Sequence, residues 1–78
     1  MSDKLPRVTG EELVRALKRA GFVERGQRSS HLHLFREADR RRLVVPVHKG
    51  QGLPIGTLHA ILRDAGIDTD EFRHLLNG

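Results

Sequence analysis

Two histidines one residue apart, His31 and His33, stand directly after Arg28-Ser29-Ser30. Near neutral pH an imidazole can take a proton from an attacking hydroxyl or give one to a leaving oxygen. RNA carries its own nucleophile in the 2′-hydroxyl, so cleaving it requires no serine or cysteine nucleophile. What it requires is proton transfer and positive charge beside the phosphate under attack. The segment Arg28-Ser29-Ser30-His31-Leu32-His33 supplies both, although two solvated surface histidines would read the same way. His31 and His33, with His48 as a third ligand, would also suit part of a metal site. The nearest acids, Glu37 and Asp39, lie in a turn, and the chain has neither an HExxH motif nor any cysteine. The preferred reading therefore takes no metal and no other cofactor.

A second group of candidates follows at His48-Lys49-Gly50-Gln51-Gly52-Leu53-Pro54. Lys49 offers charge, the glycines allow close backbone approach, and a helix N-terminus after the loop presents free N–H groups to an anion. No Gly-Lys-Ser/Thr follows, so this is not a Walker loop, and a simple strand-to-helix connector is the alternative.

These residues must be held by a small scaffold. The 78 residues predict one domain over 1–78, with its core between about 9 and 76. The absence of cysteine excludes disulfides and thiolate chemistry. Neither a signal-peptide core nor an apolar run of membrane-spanning length is seen, which makes the cytoplasm the expected location. Thr9 and Glu12 form the sequence signature of a capping box, with Val8 and Leu13 as its hydrophobic staple. Leu13, Val14, Leu17 and Ala20 then repeat at helical spacing up to Gly21. Three extended segments follow: Phe22 to Arg25, ended by Gly26-Gln27-Arg28; residues 30–36; and Arg42 to Val47, after a turn at Glu37-Ala38-Asp39-Arg40. In the second, Leu32 and Leu34 share one face, and His31, His33 and Phe35 the other. Pro46 belongs at an edge or at the strand's exit. Leu58, Ile61, Leu62 and Ala65 mark a second helix stopped by Gly66. Asp68 with Glu71, and Ile67 with Phe72, open a short third one. The expected fold is α+β, an αβββα arrangement with a three-stranded antiparallel sheet, helices on one face and a short C-terminal helix. Burying Leu17, Leu32, Leu34, Leu58, Ile61 and Leu62 together leaves His31 and His33 on the open face.

Charge points to a class of partner only through its placement. Residues 15–49 carry ten bases and three acids, a net of +7 within a chain of net +4. Eleven of the fourteen bases are arginine, which suits bidentate contact with phosphate. A basic middle of this kind reads as a footprint for a polyanion. With three Phe and no Trp or Tyr, a platform for stacking bases is disfavoured, so phosphate and 2′-hydroxyl contacts are expected to dominate.

Taken in order, four segments resemble the HicA family of toxins. They are Ala20-Gly21-Phe22, Arg28-Ser29-Ser30-His31, Leu43-Val44-Val45-Pro46-Val47-His48-Lys49-Gly50, and Ile55-Gly56-Thr57-Leu58 through Ala65-Gly66-Ile67. The resemblance spans roughly residues 9–76. It implies a double-stranded-RNA-binding-domain-like fold, cleavage of mRNA by a metal-independent endoribonuclease, and neutralisation by a HicB-type antitoxin. The family's Gly-Ser-His motif falls on Ser29, Ser30 and His31, which makes His31 the implied catalytic residue. Ser29 stands in place of the glycine, and a serine takes a positive φ only at a cost, so a differently shaped turn is expected there. The RNA-binding surface implied by that fold takes in Arg15, Lys18 and Arg19 on helix one, Arg40 and Arg41 at the strand turn, and Lys49. Arg28, Ser30 and His33 flank His31 on the same surface. The partners expected are mRNA and the antitoxin, with no membrane; the free chain is expected to be a monomer and the neutralised one a hetero-oligomer. A non-catalytic RNA-binding module using the same surface is the alternative, as is a sheet face that serves only to dock another protein.

Overall fold

The computed structural model describes residues 5–78. Helix α1 (Gly10–Arg19) is followed by strands β1 (Val23–Arg28), β2 (His31–Arg36) and β3 (Arg41–Pro46), then helices α2 (Ile55–Ala65) and α3 (Thr69–Asn77). The strands form one antiparallel sheet in the order β1-β2-β3. This is the expected α+β layout.

The helix signals act as their chemistry requires. The Thr9 hydroxyl accepts from the Glu12 N–H at 3.1 Å, and the Glu12 carboxylate accepts from the Thr9 N–H at 2.9 Å. Such a cap stabilises a helix by about 1 kcal/mol. Gly66 ends α2 in the left-handed conformation, φ 73°. At α3 the Asp68 carboxylate accepts from the Glu71 N–H at 2.8 Å, one half of the expected box.

Leu32 and Leu34 point into a core shared with Leu17, Leu43, Val45, Leu58, Ile61 and Leu62. Phe22 and Phe72 are almost wholly buried in it. Helix α2 packs on β3, and α1 packs on α3 and β3. Gly10, the first residue of α1, lies so close to the end of β3 that a Cβ there would collide with the Pro46 carbonyl oxygen. The first turn of α1 is thereby held against the residue that pairs with His31.

One strand differs from expectation. β1 starts after Phe22 and continues through Gly26-Gln27-Arg28 to the turn, where the sequence suggested that it ended. A bulge between Glu24 and Gly26 absorbs one extra residue, so pairing resumes beyond it and Arg28 closes the hairpin opposite His31. The connecting turn is therefore Ser29-Ser30.

Candidate functional site

Strand β2 alternates exposed and buried residues from His31 to Leu34, so both histidines face solvent while the leucines between them are buried. His31 is flanked across the sheet by Arg28 on one side and Pro46 on the other. The turn before it is a two-residue hairpin loop, and the right-handed twist of the strands favours a positive φ in such loops. Ser29 takes it, at φ 55°. The sequence suggested that a serine would reshape this turn; instead it adopts the left-handed conformation that glycine takes freely. The Gln27 side-chain amide donates to the Ser29 carbonyl at 3.0 Å and pins the turn. Beyond Pro46, the Val47 N–H donates to the Ser30 carbonyl at 2.7 Å. The His48-Lys49 segment therefore leaves the sheet beside Ser30 and His31.

The basic residues singled out from the sequence divide by what they touch. Lys18 pairs with Glu24, and Arg19 donates to the Leu75 carbonyl at 2.6 Å. Arg41 donates to Asp39 at 2.9 Å and to the Asp64 carbonyl at 2.8 Å. Arg28, Arg40 and Lys49 are exposed at the two hairpin turns and the β3–α2 loop. Arg15 lines a shallow groove with Glu24, Gln27, Leu32 and Val47, on the side of the sheet that faces the helices. The structure thus brings Arg28, Ser30, His31 and His33 together on one face, while Lys18 and Arg19 are engaged elsewhere.

The loop from His48 to Pro54 forms a cleft of about 300 Å³ with Thr57, whose walls include His48, Gln51 and Gly52 but not Lys49 or Gly50. Gly52 bridges to Thr9, and the Leu53 N–H donates to the Val8 carbonyl at 2.8 Å. Gly52 and Leu53 are therefore committed to holding the chain before α1. Among the described residues, no three His, Asp or Glu side chains converge as metal ligands. No helix among them is long and apolar enough to cross a membrane.

Three residues that sequence reasoning did not single out for the site share the open face with the histidines. Phe35 and Arg42 pair across β2 and β3. The guanidinium of Arg25 lies over the Phe35 ring, 4.6 Å from its centroid. Strand alternation was enough to place Phe35 and Arg42 on this face, whereas Arg25 is the extra residue of the bulge and had no such signal.

The family model for the HicA toxin of bacterial toxin–antitoxin systems matches residues 10–67. The chain belongs to the HicA toxin family. The matched span takes in α1, the whole sheet with its Ser29-Ser30 turn, and α2, so every residue gathered around His31 lies inside the HicA region. Helix α3 lies outside it, yet its Phe72 closes the core beneath α1. No curated protein matches the chain.

Proposed function

We propose that this HicA-family chain is a cytoplasmic mRNA-cleaving toxin that uses His31 as its general acid or base. The observation that carries the reading is the position of His31, exposed on the open face at a hairpin turn, between Arg28 and the strand that leads to Lys49. In the reaction, the RNA 2′-hydroxyl attacks the adjacent phosphorus as its proton departs. The bond to the 5′-oxygen then breaks, and that oxygen receives a proton. His31 makes one of these transfers, while Arg28 or Lys49 offsets the charge that develops on the phosphate. No metal is required, since the nucleophile belongs to the substrate. The toxin–antitoxin family supports a protein antitoxin as the second partner, of the HicB type, with the free toxin a monomer and the neutralised one a hetero-oligomer.

A positioned general acid or base contributes about 10²–10⁴-fold. His31→Ala is expected to lower cleavage of purified RNA by that factor, and to abolish growth arrest in cells, while the variant still folds and binds RNA. Cleavage by the wild type is expected to persist in chelator. A toxic variant, or a wild type stopped by chelator alone, would refute the metal-free His31 mechanism. RNA binding without cleavage by either protein would make the chain a binding module.

A further inference from the structure

Along β2 from His31, the open face deepens into a groove of about 540 Å³ whose walls include His33, Phe35 and Val44. Three arginines line it, Arg25, Arg40 and Arg42, against one acid, Glu37. Its floor is apolar: Phe35 is half-buried, and Val44 is 45% exposed on the neighbouring strand. Its rim carries planar groups, because the Arg25 guanidinium stands over the Phe35 ring at 4.6 Å. The bulge at Glu24/Gly26 inserts Arg25, and Gly26, which faces His33, adds no side chain to fill the space.

From these observations we propose that the groove is a nucleotide subsite, which holds one unpaired base of the RNA next to the bond that His31 acts on. The proposal rests on RNA being the substrate, and it goes further by naming where the strand lies and what reads it. A flat, cationic, part-apolar groove suits a nucleobase carried on a phosphate chain, and its volume is within the usual range of about 300–1,000 Å³ for ligand sites. The base must be unpaired, because in a duplex its π-face is stacked away from protein. His31, His33 and Phe35 share one face of β2, with His33 and Phe35 about 7 and 13 Å from His31 at ~3.3 Å per residue. That is the reach of one to two nucleotides. A strand running along β2 would therefore place its phosphate at His31 and a neighbouring base against His33 and the outer face of the Arg25 guanidinium, which itself covers the Phe35 ring at 4.6 Å. Phe35 and Arg25 are specificity-determining residues in this arrangement, and the three arginines hold the backbone on either side.

The test measures binding of a fluorescent 2′-O-methyl oligoribonucleotide, which cannot be cleaved, to the wild type, Phe35→Leu and Arg25→Gln. The same oligonucleotide is also presented as a duplex, and cut sites are mapped on unmodified RNA. Phe35→Leu removes the ring on which Arg25 is held, and is expected to weaken single-strand binding roughly tenfold. Arg25→Gln should weaken it in the same direction, duplex binding should change little, and the preferred cut sites should shift. Arg25 is exposed on an edge strand, so its variant carries the test even if Phe35→Leu folds poorly. Unchanged single-strand affinity and unchanged cut sites in both variants would overturn the subsite, even if His31→Ala is inactive and the catalytic reading holds. Phe35-dependent binding by a wild type that cuts nothing would overturn the subsite's place beside a cleaved bond, together with the catalytic reading, and leave only a base-binding groove. Unchanged RNA affinity with lost antitoxin binding would assign the groove to a protein partner and overturn the proposal. Failure of the wild type to bind any single strand would remove both readings.

Discussion

A serine in the left-handed region sits two residues before His31. An L-residue there carries about 1–2 kcal/mol of strain from its Cβ, whereas glycine carries almost none. Glycine loses about 0.5–1 kcal/mol more chain entropy on folding, which offsets part of the gain. Ser29→Gly is therefore expected to stabilise the chain by about 0.5–1 kcal/mol, read as a rise of a few degrees in the thermal midpoint. A lowered midpoint would mean that the Ser29 side chain makes a compensating contact. At this scale the sequence was informative where chemistry is local. The Arg28-Ser29-Ser30-His31 cluster, and the solvent-facing side of β2, followed from residue type and alternation. The place of Arg25 over Phe35 did not, because the bulge shifts the alternation by one residue and its mark, Gly26, reads equally as the end of the strand.

At the scale of elements, Arg36 at the end of β2 gathers three segments. Its guanidinium donates to Asp39 through two nitrogens, at 3.0 and 2.7 Å, and to the carbonyls of Ala20 and Ala65 at 2.9 and 3.0 Å. It also lies over the buried Phe22 ring, 4.4 Å from the centroid. Ala20 and Ala65 end α1 and α2, so a cation meets the carbonyl ends of both helices, where their dipoles favour it. Hydrogen bonds from Arg36 first, and from Arg41 second, hold the Asp39 carboxyl down at about 2, against a usual 3.8. A carboxyl lowered on folding contributes its stabilisation in full above pH ~4 and loses it as pH falls towards 2. Asp39→Asn is accordingly expected to lower the thermal midpoint at neutral pH, with the gap to wild type closing between pH 4 and 2. A gap that is constant across that range would show that the carboxylate charge contributes nothing. Capping box, staples and stop glycine made α1, α2 and α3 legible, since each signal lies within a few residues. The clasp was not, because Arg36 and Ala65 are 29 residues apart and meet only in the folded chain.

For the whole molecule, the excess charge of the middle segment has two destinations. Arg36 and Arg41 are tied to Asp39 and to helix-end carbonyls, whereas Arg28, Arg40, Arg42 and Lys49 lie exposed on or beside the open face. The family resemblance put Arg40 and Arg41 together on an RNA surface; the structure separates them by what they touch. Arg40 is exposed on the rim of the groove, at φ 57°, and Arg41 joins the turn to the end of α2. Each phosphate neutralised by a cation releases counterions, and steepens the fall of affinity with salt by about 0.7–0.9 in the double-logarithmic slope. Arg40→Gln is expected to flatten that slope by about this amount while leaving the thermal midpoint nearly unchanged. Arg41→Gln is expected to do the reverse: a lowered midpoint, because two hydrogen bonds are lost, and a slope close to that of wild type. Titrating each protein with a single-stranded RNA at several salt concentrations, beside thermal melts, separates the two effects. Equal slopes for Arg40→Gln and wild type would mean that RNA does not cross the groove rim. An unchanged melt for Arg41→Gln would mean that the link between turn and helix adds no stability. Only the first of these results bears on function, since the groove rim lies on the face that carries His31, whereas Arg41 braces the hairpin from behind.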